Sequence, residues 1–214
     1  MKSAYPELPF IDNPKKTNVS LEDSVHFLLD VTDECTARAV YCIMVAEASR
    51  TKDRKAFNSA GEYNYAGVQT DSGRWGYSNP IISRFRRVDV GGNNREFAGF
   101  KNNEGFFDFM ANRIKSKGFD GCDADKWTET YIQKWWSPSA KASYTKGTEK
   151  YNAKKSIYNT AIKQFDEYKK TYKGKLFGGS KEGKKGRKVF IGIGIALLIL
   201  GVGGGLAYYL LKKK

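Results

Sequence analysis

Cys35-Thr-Ala-Arg-Ala-Val-Tyr-Cys-Ile-Met-Val-Ala-Glu-Ala-Ser49, followed after a polar loop by Asn64-Tyr-Ala-Gly-Val68, is the stretch around which the chain is organised. Ala39, Val40, Ile43, Met44 and Glu47 recur at the i, i+3/i+4, i+7 spacing of one helix face, so an apolar stripe ends in a carboxylate. Apolar surroundings strip hydration from the charged form. The pKa of Glu47 is therefore expected to rise toward the range where a carboxyl holds and delivers a proton near neutral pH. The competing reading is a glutamate at the edge of the stripe with its tip in water, the usual situation on a helix.

On the N-terminal side, Pro6, Pro9 and Pro14 make residues 1–19 an extended arm with no apolar run of the kind a secretory signal carries. Ser20 can cap a helix with Asp23 three residues on and Val25, Leu28 and Leu29 as its buried side. His26 beside that face reads as a core or capping residue, not a catalyst. Thr32 or Asp33 caps the central helix, which fades around residues 49–52.

On the C-terminal side, residues 51–80 are rich in Gly, Asn, Ser and Asp and read as loops. Tyr63, Tyr65, Trp75 and Tyr77 are interleaved with Gly61, Gly67, Gly73 and Gly76. Flat rings there suit either sugar stacking or loop packing. Residues 81–90 alternate as a strand, 91–94 supply a turn and 95–100 return, which is a hairpin. Phe106, Phe109, Met110 and Ile114 then form the buried side of a helix that Glu104 begins, where a negative side chain favours the helix dipole. Residues 127–136 read as a further helix, with Trp127, Tyr131 and Trp135 spaced along it and Pro138 as its stop. A long amphipathic helix covers 151–172, with Tyr158, Ala161, Ile162, Phe165, Tyr168 and Tyr172 sharing a face, and either packs on the domain or forms a stalk.

The net charge of +14 is unevenly placed. Residues 173–214 hold ten Lys/Arg against the single acid Glu182, a surplus of nine that leaves +5 for residues 1–172. Most of the excess flanks residues 189–211, which carry no charge and would extend about 34 Å as a helix, enough to cross a bilayer. The basic flanks thus read as headgroup contacts, and no specific nucleic-acid partner is expected. Gly201 and Gly205 would allow two such spans to approach closely. Cys35 and Cys42 are too far apart along one helix to bridge each other. Cys122 could pair with one of them, although free thiols in a reducing compartment are the expected state. One histidine and scattered cysteines offer no metal site, and no cofactor is expected.

The helix ending in Ala46-Glu47-Ala48-Ser49, the Asn64-Tyr-Ala-Gly-Val68 segment about twenty residues on, and the aromatic strand end leading into Asn103-Glu-Gly-Phe-Phe-Asp-Phe-Met110 together resemble the bacterial glucosaminidase and lytic transglycosylase branch of the lysozyme-like superfamily. The resemblance spans roughly residues 30–136. It implies a mainly α (α+β) fold, a lysozyme-like helical domain with a small β-hairpin beside the cleft. It also makes Glu47 the general acid acting on peptidoglycan glycan strands. It places the Asn64-Tyr65-Ala66-Gly67 segment on the floor of the cleft, beside which Tyr63 and Trp75 are the ring candidates for sugar stacking. The family keeps a cleft tyrosine after its aromatic helix; this chain departs there with Gly118-Phe119-Asp120, and Tyr131 is the candidate substitute. For a second carboxylate, Asp71, Asp89 and Glu96 remain open, since the spacing fixes none of them.

The expected organisation is therefore an arm over 1–19, a catalytic domain over 20–138, a helical extension over 139–172, a basic linker over 173–188, a transmembrane helix over 189–211 and a basic tail over 212–214. The expected function is a membrane-anchored peptidoglycan glycosidase cleaving between N-acetylmuramic acid and N-acetylglucosamine. A single-pass protein with a C-terminal anchor and a wall-degrading domain suits the membrane of a lipid-containing bacteriophage particle, used at entry. The alternative from a different class is a non-catalytic wall-binding or virion assembly protein that keeps the cleft without turnover.

Overall fold

The structure, a computed structural model, describes residues 7–48, 55–70, 80–88, 92–136 and 141–174. It is mainly helical with two small antiparallel sheets. Strand β1 (Asn18–Ser20) leads into helix α1 (Leu21–Val31), where Ser20 Oγ accepts from the Asp23 amide at 2.9 Å as the N-cap. Helix α2 (Glu34–Ala48) is capped by Asp33, whose carboxylate accepts from the Thr36 amide at 2.9 Å. That bond holds the Asp33 carboxyl below its ordinary range.

Strand β2 (Ala56–Asn58), inside the stretch read as loop, pairs with β1. The hairpin follows as β3 (Ile81–Val88) and β4 (Asn94–Phe100), with Val88 opposite Asn94. The N-terminal arm lies along β3, where the Ile11 amide donates to the Arg84 carbonyl and the Arg84 amide to the Pro9 carbonyl. Helix α3 (Asn103–Ser116) buries Phe106, Phe109, Met110 and Ile114, the face its 3.6-residue period selects.

Residues 127–136 depart from the expected single helix. Helix α4 (Ala124–Thr130) gives way to a π-helical turn, Tyr131–Trp136. The long helix α5 (Glu149–Lys169) packs against α1, α2 and α4 and sends Tyr158, Ala161 and Phe165 into the core. It is therefore part of the same body as α2, not a stalk beyond residue 139. His26 Nε2 lies 3.1 Å from the Tyr168 carbonyl and the Thr171 hydroxyl, a core histidine serving the end of α5.

The cysteines correct the sequence reading. Cys35 and Cys122 form a disulfide, and Cys42 alone is a buried free thiol. The pairing is possible because Gly121 comes against α2 so closely that a Cβ there would sit 2.2 Å from the Cys35 carbonyl. A sequence separation of 87 hid that contact. No helix among the described residues is long and apolar enough to cross a membrane. Residues 189–211, with Gly201 and Gly205, lie outside the described residues, as does nearly all of the linker.

Candidate active site

The core side of α2 is Ala39, Val40, Ile43 and Met44, all fully buried, and the helix emerges from the core in its last turn. Glu47 sits in that turn and is exposed. This differs from the expectation that Glu47 shares the burial of the stripe: the residue lies beyond the covered part of α2. The side chain is nonetheless held in place. Tyr131 Oη donates to Glu47 Oε1 at 3.3 Å and Trp135 Nε1 donates to the same oxygen at 3.1 Å.

Both donors come from the π-helical turn, which rests on the core through Trp127. The Trp127 indole is fully buried, donates to the Ala39 carbonyl at 3.1 Å, and stacks on Tyr131 with ring centroids 5.0 Å apart. Burial, with the nearby Glu47 charge, pushes the Tyr131 phenol far above its ordinary range, so it stays a proton donor throughout the physiological range. The Arg113 guanidinium lies over the Trp135 ring, 4.6 Å from its centroid.

Opposite Glu47 the floor is built by β2 and the loop after it. A cleft of about 320 Å³ is lined by Glu47, Phe57, Asn58, Ser59, Ala60, Asn64, Tyr65, Ala66 and Gly67. The loop has an unusual backbone: Glu62 and Tyr63 take φ of 44° and 59°, a left-handed pair of non-glycine residues. Backbone bonds bracket that pair, the Asn64 N–H donating to the Gly61 carbonyl at 2.9 Å and the Ala60 N–H to the Asn64 carbonyl at 2.8 Å. The Asn64 side chain then anchors the end of the loop. Its buried amide donates to the carbonyls of Val68 and Ala98 at 2.9 and 2.8 Å, and its oxygen accepts from the Val68 amide at 2.9 Å.

No family model, curated protein or solved structure matches the chain.

The geometry sorts the candidate residues. Glu47, Asn64, Tyr65 and Gly67 share one cleft, and Tyr131 touches Glu47. Tyr65 presents little surface: its ring packs edge-on against Phe106 with centroids 5.1 Å apart, and its hydroxyl is engaged by Thr17 and Asn103 at 3.1 and 2.7 Å. Tyr63 is half-buried against the core and does not line the Glu47 cleft. Glu96 belongs to the hairpin: one oxygen accepts from Thr70 Oγ1 at 2.7 Å and the other pairs with Arg84 at 2.9 Å. Asp71, Trp75 and Asp89 lie outside the described residues. Among the described residues that line the cleft, Glu47 is the one carboxylate.

The sequence marks Trp135 only as part of an aromatic spacing. Its position four residues after Tyr131 was the available signal that both could serve one site.

Proposed function

We propose that the domain is a peptidoglycan glycosidase in which Glu47 is the general acid, anchored to a bilayer through residues 189–211. The observation that carries this reading is the convergence on one cleft of a donor-held acid at the end of α2 and the Asn64–Gly67 floor. Because Oε1 accepts from Tyr131 and Trp135, the transferable proton belongs on Oε2. A glycan strand lying in the cleft displaces the water that reaches Glu47 when the cleft is open, and so supplies the dehydration that α2 does not.

Proton transfer from Oε2 to the glycosidic oxygen breaks the bond between N-acetylmuramic acid and N-acetylglucosamine, with positive charge developing at the anomeric carbon. With Glu47 as the one carboxylate among the described lining residues, the ionised Glu47 then takes the proton of the muramoyl C6 hydroxyl. That oxygen closes on the anomeric carbon and gives an anhydro sugar. A water activated by a second carboxylate would give a reducing sugar instead. The Cys35–Cys122 pair fits a domain that works outside a reducing cytoplasm, on the side where the wall lies, as a particle delivering the enzyme from outside would require.

The test is zymography on wall-embedded gels with the wild type and Glu47→Gln. The wild type should clear a band and the variant should not, with unchanged circular dichroism; mass spectrometry of the released muropeptides separates the anhydro from the reducing product. A wild-type chain that binds wall without clearing it would return the protein to the non-catalytic wall-binding class, and full activity in Glu47→Gln would remove Glu47 from the mechanism.

A further inference from the structure

The buried stripe of α5 runs through Tyr151, Tyr158, Ala161 and Phe165. Lys154 falls on the same stripe, three residues after Tyr151 and four before Tyr158. A lysine there breaks an apolar pattern just as Glu47 breaks the one on α2, and the two helices pack against each other. Lys154 is half-buried. Its ammonium lies 3.9 Å from the centre of the Trp136 ring and 5.8 Å from that of Tyr131, the residue whose hydroxyl donates to Glu47. Burial pulls the amine below the ordinary lysine range, and the negative charge of Glu47 pushes the other way. Two ring faces and an opposite charge thus offset the loss of water around a cation held over the tyrosine that hydrogen-bonds to Glu47.

We propose that Lys154 is the counter-charge of Glu47: held against Trp136 and Tyr131, it sets the pH range over which Glu47 keeps the proton it delivers, and so acts as a positioning residue through Glu47. The inference rests on Glu47 being the general acid. It also makes α5 part of the site. Among the described residues, Tyr131 and Trp135 of the π-helical turn hydrogen-bond to Glu47, and Lys154 of α5 lies over the ring of that same Tyr131. Arg113 of α3 lies over the Trp135 ring, and Lys150, one turn before Lys154, lies over Tyr144 at 5.5 Å. A neighbouring cation favours the ionised carboxylate. Removing it lets Glu47 hold its proton to higher pH.

The experiment compares the full chain in detergent micelles with Lys154→Met and Lys154→Arg, reading both the pH profile of wall clearance and the carboxyl ¹³C titration of Glu47, assigned by its absence in Glu47→Gln. Methionine keeps an unbranched stem against the rings, and should circular dichroism show that it fails to fold, Lys154→Gln takes its place. In the neutral variant the alkaline limb of the profile and the Glu47 titration should both move up by roughly half a pH unit or more, with Arg leaving both in place. A purely structural lysine would change the amplitude and not the pH. A Glu47 titration that stays put in the neutral variant overturns the proposal whatever the activity. A wild type with no clearance removes the glycosidase reading alone, because the titration still decides whether the two charges are coupled.

Discussion

Asn64 shows how a single side chain shapes the cleft without facing it. The resemblance marks it as cleft-lining, and it does border the cleft, yet its side chain is fully buried and its hydrogen bonds all go to backbone. It follows directly on the left-handed pair Glu62 and Tyr63 and ties the floor to Val68 and to β4 at Ala98. Asn64→Ala would leave the Val68 amide without its side-chain acceptor and two carbonyls short of a donor. We expect a loss of about 2–3 kcal/mol, read as a lower urea midpoint, with wall clearance falling alongside it. An unchanged midpoint would mean that the floor does not depend on this amide.

At the scale of elements, the acid and its donors come from separate pieces of chain, and the disulfide ties those pieces together. Cys35 lies in the first turn of α2, and Cys122 lies just before Asp123, whose carboxylate caps α4 by accepting from the Asp125 and Lys126 amides. Fixing α4 to α2 fixes the start of the π-helical turn, and with it Tyr131 and Trp135 against Glu47. Reduction of the disulfide should cost about 2–4 kcal/mol. Equilibrium unfolding with and without reductant measures it. Coincident curves would show that the cross-link adds nothing to the folded state.

At the scale of the molecule, α5 closes the body that α1 to α4 begin. Phe165 and Ala161 are fully buried, Tyr158 Oη donates to the Gly121 carbonyl at 2.7 Å, and Arg38 of α2 pairs with Asp166 at 2.6 Å. A chain of residues 1–174 should melt cooperatively, and one of residues 1–148 should not. The full chain should float with liposomes, while residues 1–174 should remain in the lower fractions. Flotation of the shorter chain would move membrane binding away from residues 189–211.

Period and capping made α1, α2, α3, α5 and the hairpin legible in the sequence, since side-chain spacing and turn residues act over a few positions. The Ser20 cap and the buried face of α3 are local in this sense. So was the pairing of Glu47 with the Asn64 segment as the place to look for a site, although it needed a family resemblance to be noticed. What the tertiary structure decided was each feature that joins distant positions: β1 with β2, Cys35 with Cys122, Trp135 with Glu47, Lys154 with Tyr131, and the exposure of Glu47. An apolar stripe says that a helix face is covered, and not how far along the helix the covering element reaches. On α2 it stops one turn short of the end, and that turn holds the acid.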